Sequence, residues 1–373
     1  MAGGRQTAKP HILMVVPDPA VHGGIASVTA GYYGSRLEQD YRITYVQSYC
    51  DGSKWDKLRK ALAAYRQFRR ILRRDAPQLV HIHSSFGPSF YRKMPFILMA
   101  SRRGIPVVNH IHGSDMEELY HGAPDWKKSL VRRIYGKCER IVVLADIWRG
   151  EFSRLASPER IVVIPNYARA YPEALQPSLL HVRHAHRGLL FLGVITEGKG
   201  VCCFPAIMEQ VLEEFPDAVL TVAGSGDTKT LFADADPAVM AHIRFTGWVT
   251  GEEKEQLLRD NAVFLLPSHM ECFSMSILEA MGHAMPVISC RVGSIPEAVE
   301  EGKTGFLFDV DDADGMAQAI LSLLRDEALW TDMARAGVQR VEESYTLERH
   351  LQRIEAVYEE VLQGTSGSKS SAR

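Results

Sequence analysis

Short apolar runs alternate along the chain with longer stretches whose apolar residues recur at helical spacing, which is the mark of parallel α/β units. In the first half the runs His11–Val16, Ile43–Val46, Leu79–His83, Pro106–His112, Ile141–Leu144 and Ile161–Ile164 predict strands. In the second half the same reasoning selects Leu189–Gly193, Ala218–Ala223, Ile243–Gly247, Val263–Leu266, Pro286–Ser289 and Phe306–Phe308. Between the halves, Arg169–Arg187 is rich in Pro, His and Ala without clear periodicity and reads as the connection, drawn here as a linker at 171–187. A chain of 373 residues exceeds the usual size of one core, so two domains are expected, 11–170 and 188–346. Residues 1–10 read as a flexible leader and 363–373, with a Gly/Ser-rich run, as a disordered tail. Two doubly wound domains facing one another leave a cleft, and ligands bind at the carboxyl ends of such strands.

The densest chemistry lies in Pro267–Gly282. There the apolar run Val263–Leu266 ends in a Pro-Ser turn, and Met275, Ile277, Leu278 and Met281 then follow helical spacing. The chain is therefore expected to turn from strand to helix at Glu271. Backbone N–H groups of Phe273, Ser274 and Met275 would stand at the free helix start, where unpaired donors and the macrodipole favour an anionic phosphate. Glu279, eight residues after Glu271, suits a pair of vicinal hydroxyls such as a ribose diol, and Glu271 at the mouth suits hydroxyls of a donor sugar.

This segment strongly resembles the E-x7-E signature of retaining glycosyltransferase family 4, whose members have the two-domain GT-B fold. Met285-Pro-Val-Ile-Ser289, Gly293-Ser-Ile-Pro-Glu297 and Gly302-Lys-Thr-Gly-Phe-Leu-Phe308 follow in that family's order, and the resemblance covers nearly the whole chain except its tails. It implies a final helix, 347–362, that crosses back to the first domain. It also implies that the loop His22-Gly-Gly-Ile25 lies against the donor diphosphate and the acceptor, which makes Gly23 and Gly24 site residues. His112, at the end of Asn109-His-Ile-His-Gly-Ser-Asp115, matches the histidine that contacts the transferred sugar; His110 would point the same way but deeper. Asp115 is assigned to acceptor binding or to positioning His112. Leu190-Phe-Leu-Gly-Val-Ile-Thr-Glu-Gly-Lys-Gly200 resembles the family's Gly-Arg-x-x-x-x-Lys-Gly loop, with Lys199 at the lysine and Val194 where the arginine usually stands. A lysine there would neutralise charge growing on the leaving diphosphate. Gly224 reads as a turn lining the donor site, while Phe245-Thr-Gly-Trp-Val249 resembles the segment that reads the nucleotide base, bringing in Trp248 and Val249. Asn166, in Ile164-Pro-Asn166, reads as structural.

The net charge of -2 conceals a division: residues 1–180 hold 27 Lys+Arg against 15 Asp+Glu, and the remainder 16 against 30. The basic front half would attract anionic lipid or a phosphate-bearing acceptor. Nucleic acid is set aside because no recognition motif accompanies the charge. Six cysteines without a Cys-x-x-Cys suggest neither a zinc site nor a disulfide framework, and no run approaches membrane-spanning length, so a cytoplasmic protein, peripheral at the inner face of the plasma membrane, is expected. Asp234-Ala-Asp236 has the look of a metal-binding Asp-x-Asp but falls in a polar loop, so neither a catalytic metal nor another cofactor is expected. Within Lys54–Arg74, Trp55, Leu58, Leu62, Tyr65, Phe68 or Arg69, and Leu72 form a stripe on a basic amphipathic helix, either packed on the sheet or docked on a membrane. His81-Ile-His83, followed by a loop reaching Arg92 and Lys93, reads as an acceptor-side element whose cations suit phosphate. A metal is not expected there, since neither a carboxylate nor a third histidine stands beside the pair.

The resemblance implies a metal-independent hexosyl- or related transferase of the EC 2.4 class. It would move a sugar from a nucleotide-diphosphate donor, with retention, to a hydroxyl of a lipid-linked or other saccharide in bacterial surface polysaccharide synthesis. The alternatives are another GT-B chemistry, epimerisation or phosphorolysis, and a non-catalytic partner that binds sugar nucleotides.

Overall fold

The computed structural model describes residues 9–113 and 116–370. Its chain divides into two compact units, one comprising the chain up to Pro165 together with the segment from Glu348 onward, the other Asn166–Leu347.

The first unit is built on a six-stranded sheet of β1 (His11–Val16), β2 (Arg42–Gln47), β3 (Leu79–Ser84), β4 (Val107–Ile111), β5 (Arg140–Val143) and β6 (Ile161–Val163). All neighbours are parallel and the order is β2-β1-β3-β4-β5-β6. β1, β3 and β4 are buried along their whole length, as unbroken apolar runs covered on both faces should be. The order reverses direction between β1 and β3, so their carboxyl ends open a crevice there.

The second unit holds β7 (Gly188–Leu192), β8 (Val219–Ala223), β9 (Ile243–Gly247), β10 (Val263–Leu266), β11 (Val287–Cys290) and β12 (Gly305–Phe308), all parallel, in the order β12-β11-β10-β7-β8-β9. Here the reversal falls between β7 and β10. This is the dinucleotide-fold order, with its binding crevice at that switch point. Each of the twelve strands overlaps a run selected from the apolar pattern.

Three departures from the sequence reading have identifiable causes. Residues 171–187 are folded into the second unit, where Pro177–His186 is a helix instead of a free connection. Its anchor is a buried cation: Arg183 donates to the carbonyls of Leu258 (2.5 Å), Asn261, His283 and Ala284 (3.3 Å). An apolar-periodicity reading counts such a residue as surface. Next, the last helix spans Leu347–Ser370 and so continues beyond Leu362, because adding turns to a helix already nucleated is cheap even for poor helix formers. It belongs to the first unit, tied by Arg36 to Glu348 and Glu355 and by Arg140 to Glu360.

The third departure is the basic helix Lys54–Arg74, which starts at a capping box in which Ser53 Oγ accepts from Asp56 N (3.2 Å) and Asp56 Oδ2 from Ser53 N (3.0 Å). It buries Ala61, Ala64, Phe68, Ile71 and Leu72. The amino-terminal part of the expected stripe turns outward instead, with Trp55 74% exposed and Leu58 and Leu62 also exposed. The buried face is thus small at its start, Ala61 and Ala64, and large only toward its end, Phe68, Ile71 and Leu72.

Candidate active site

In the second unit the loops after β7 and β10 meet at the switch point. Pro267 follows β10 directly and lacks an N–H to continue the ladder. Gly200, with φ 68°, lies so close to it that a Cβ would fall 1.8 Å from the Pro267 carbonyl oxygen. His269 N donates to Gly198 O at 3.0 Å, which fastens the two loops together. This close approach brings Lys199 Nζ to Glu271 Oε1 as an ion pair, and Ser268 Oγ donates to the same carboxylate oxygen at 3.0 Å. Glu271 itself is buried.

The helix begins at Met275, not at Glu271 as the spacing suggests; Glu271–Ser274 remain loop. Long-range contacts hold them there. Ser294 Oγ donates to Cys272 O, Asn166 Nδ2 donates to Phe273 O at 2.8 Å, and Gly293, with φ 52°, leaves room for the Glu271 carbonyl where a Cβ would stand 1.8 Å away. Ser274 is the helix cap, accepting from Ile277 N at 3.4 Å, so the first-turn N–H groups of Met275 and Ser276 have no acceptor within the helix. Phe273 is buried and its ring packs on Tyr345, centroids 5.6 Å apart. Glu279 lies in the second half of the helix and receives Lys254 Nζ, from the helix Gly251–Asp260, at 2.8 Å.

Gly224 follows β8 and is drawn against the loop after β7 by the Ile195–Gly226 bridge. Trp248, partly exposed, and Val249, buried, follow β9 at the same end of the sheet. Val194 is 47% exposed in the loop after β7. Asp236 is spent as a helix cap, accepting from Ala238 N at 2.8 Å. Ser268 and Lys254 were not singled out from sequence, and Gly293 and Ser294 only as part of a turn in the family's order. Their roles depend on strand order, and only the Gly293-Ser294 turn carried a local signal.

In the first unit the loops after β1 and β3 border a cavity of about 210 Å³, lined by Gly23, Gly24, Tyr49, His83, Arg92 and Lys93 among others. Lys93 is only 3% exposed, and its Nζ donates to Ser48 Oγ at 2.5 Å. Arg92 is half-buried, its guanidinium 4.6 Å from the Tyr49 ring centroid and its Nε without a partner. Burial holds both cations below their ordinary pKa, that of Lys93 far below.

Beneath the cavity lies a nest of imidazoles. The register pairs His83 with His110, so His81, His83, His110 and His112 gather on one face, with His83 Nδ1 3.0 Å from His112 Nε2. The last helix adds His350, bonded to Tyr32 OH at 2.7 Å, and Tyr358, whose OH meets His81 Nδ1 at 2.5 Å. Burial pushes His81 and His112 down to about 3 and His350 to about 4. The rings are therefore neutral at ordinary pH. Candidate ligand nitrogens of His81, His83 and His110 lie within 4.8 Å of one another. This corrects the expectation that no third histidine stands beside the pair, because His110 arrives from the adjacent parallel strand. Such a set is the kind of neutral nitrogen group able to hold a transition metal. Asp115 lies outside the described residues.

Residues 26–167 match the family described as a glycosyl transferase 4-like domain, and residues 186–326 match glycosyl transferases group 1. The chain is 27% identical over 337 residues to the phosphatidyl-myo-inositol mannosyltransferase of Mycolicibacterium smegmatis, covering 90% of this chain and 79% of that protein. It is 24% identical over 314 residues to the N-acetyl-alpha-D-glucosaminyl L-malate synthase of Bacillus anthracis, covering 83% and 81%. Among solved structures, a sucrose-phosphate synthase from Thermosynechococcus elongatus superposes with a TM-score of 0.77 at 16% identity, covering 95% of this chain and all of that one. Anabaena HepE, solved with UDP and glucose, superposes with a TM-score of 0.70 at 14% identity, covering 94% and 100%. The chain belongs to glycosyltransferase family 4 and has its GT-B fold.

Proposed function

We propose that the protein transfers a sugar, with retention, from a nucleoside diphosphate donor to an acceptor hydroxyl, without a catalytic metal. The single observation that carries this reading is the Lys199–Glu271–Ser268 constellation at the β7/β10 switch point, beside the capped helix start at Met275. The donor diphosphate binds the first-turn N–H groups, and Glu279 exchanges its Lys254 partner for the ribose hydroxyls. During transfer the bond from the anomeric carbon to the diphosphate oxygen breaks. The acceptor oxygen bonds to that carbon on the same face, and its proton passes to the departing phosphate. Lys199 offsets the charge that grows on the leaving group, while Glu271 orients the sugar; neither is consumed. Trp248 and Val249 border the base.

The acceptor is a lipid-linked or other saccharide of bacterial surface polysaccharide, met at the cytoplasmic face of the membrane. The outward Trp55, Leu58 and Leu62 on the basic helix supply the docking surface. The test is a panel of nucleoside diphosphate sugars, read by thermal shift and by sugar transfer to acceptor saccharides, repeated with Glu279→Gln. One donor should stabilise the wild type, and the variant should raise its KM about tenfold, the equivalent of one lost carboxylate contact of ~1.4 kcal/mol, while kcat changes little. An unchanged KM sinks the assignment of Glu279, and products formed without acceptor point to epimerisation instead.

A further inference from the structure

We infer that His81, His83 and His110 form a transition-metal site inside the sheet of the first unit, taking Zn²⁺ or an ion of like chemistry in a structural role. The site is independent of the transferase reading above, and the ion takes no part in transfer.

Strand pairing makes the set. His81 and His83 are two residues apart on β3, so their side chains leave the same face, and the parallel register sets His110 of β4 directly beside His83. All three are fully buried, and one ring nitrogen from each lies within 4.8 Å of the others. Metal–nitrogen bonds of about 2.0–2.1 Å place two ligands at most about 4.2 Å apart, a contraction that ring rotation supplies without moving the strands.

Hydrogen bonding decides which nitrogens are left over. His81 Nδ1 meets Tyr358 OH at 2.5 Å, and His83 Nδ1 meets His112 Nε2 at 3.0 Å. A histidine that ligates a metal donates its other ring N–H to a neighbouring acceptor, and both of these Nδ1 atoms have one. That tautomer leaves Nε2 of His81 and of His83 as bare lone pairs, each buried without a partner, and neither nitrogen of His110 has a partner either. His112, accepting at Nε2, keeps its proton on Nδ1 and supports the set instead of ligating. Three acceptor nitrogens therefore converge where no donor among the described residues reaches them, which is costly in a sheet interior. A trapped water has two hydrogens and satisfies two of the three, whereas one imidazole-binding ion satisfies all of them.

The donor set also chooses the class of ion. Three imidazoles without a carboxylate do not suit Ca²⁺ or Mg²⁺, which take oxygen ligands, and they do suit Zn²⁺, which binds three histidines and leaves a fourth position for water. Such an ion ties β3 to β4 and, through Tyr358, supports the packing of the last helix on the sheet.

The experiment takes the full chain without an affinity tag, expressed in medium supplemented with Zn²⁺ and freed of loose metal by EDTA and gel filtration. Plasma mass spectrometry should find one zinc per chain, and zinc-edge X-ray absorption should show scattering from three imidazoles. His110→Gln and His81→Gln should retain less than about a tenth of that zinc, while His121→Gln, at a partly exposed histidine of the same unit, retains all of it. Unfolding and refolding the wild type with a chelator should lower its Tm, and Zn²⁺ should restore it. Should neither sheet variant fold, the absorption spectrum of the wild type carries the test. Wild-type protein that leaves the column without metal, an edge fitted by oxygen or sulfur ligands, or zinc lost equally from His121→Gln overturns the inference and leaves the donor reading untouched.

Discussion

The two units solve one topological problem and fill the result with opposite chemistry. In each, the strand order reverses once, between β1 and β3 or between β7 and β10, and in each the noteworthy residues collect in the loops at that reversal. In the second unit every site cation has a carboxylate: Lys199 has Glu271 and Lys254 has Glu279. Among the described residues of the first unit Lys93 and Arg92 have none, and burial holds the histidines below them well under the ordinary imidazole pKa. Topology therefore decides where a ligand goes, and charge pairing decides what the empty site costs. A self-neutralised site trades ion pairs for ligand contacts, whereas in the first unit burial lowers the pKa of Lys93 and Arg92 and so disfavours their charged forms.

The largest effect expected is on catalysis in the second unit. Lys199→Ala should lower kcat about 100- to 1,000-fold, the range for removing one group that stabilises transition-state charge, while donor KM moves much less. Rapid-quench measurement of single-turnover transfer would check it. A variant that loses affinity and keeps kcat would make the ion pair with Glu271 a purely structural clamp.

Stability offers the next contrast. Arg183→Leu removes bonds to four carbonyls of the second unit, each worth about 1–3 kcal/mol when left unsatisfied, and the loss is partly offset by deleting a buried cation whose pKa is already down at about 9. A net destabilisation of about 3 kcal/mol should appear as a fall in Tm of about 6–12 °C. Hydrogen exchange should place the lost protection in the second unit and leave the first unit's sheet unaltered.

That residue also marks the limit of what the sequence discloses. The twelve strands were legible because apolar runs buried on both faces announce themselves locally. The helix Pro177–His186 was not, since a single guanidinium, bonded to carbonyls as far away in sequence as Ala284, does the anchoring that an apolar stripe usually does. Within the site, Glu271, Lys199 and Glu279 could be selected, yet the helix start was placed four residues early. The loop Glu271–Ser274 is pinned by Asn166, Gly293 and Ser294, none of which is near in sequence to all of it. Likewise the pair His81 and His83 was visible, while His110 joined it only through the pairing of β3 with β4.

Acid should separate the units further. His81, His112 and His350 of the first unit titrate when folded at about 3, 3 and 4, against 6.5 for a free imidazole, because burial disfavours the charged ring. Between pH 6.5 and 4 the unfolded chain therefore takes up protons that the folded unit refuses. The penalty is absent above pH 6.5, grows as the pH falls, and levels off only below the folded values. The second unit contains a comparable ring in His283, whose pKa burial also lowers, but there the Glu279 carbonyl and the Glu255 carboxylate at 2.9 Å oppose the shift. Hydrogen exchange from pH 7 to pH 5 should show β3 and β4 losing protection first. Equal loss in both sheets would contradict the role given to the buried rings.

The smallest effect concerns a surface of the first unit. Trp55, Leu58 and Leu62 are turned outward on a helix that also carries Arg66, Arg69, Arg70, Arg73 and Arg74, an apolar edge beside a cationic one. If that edge meets a bilayer, Trp55→Ser should weaken co-sedimentation with phosphatidylglycerol vesicles several-fold, since one aromatic side chain of ~1.5–3 kcal/mol is only partly withdrawn from water at an interface. Raising salt from 0.05 to 0.5 M should weaken the remainder through the arginines, leaving sugar transfer to a soluble acceptor unaffected. Binding that survives the substitution but not the salt would reduce the surface to an electrostatic one, and the outward tryptophan would then need another occupant.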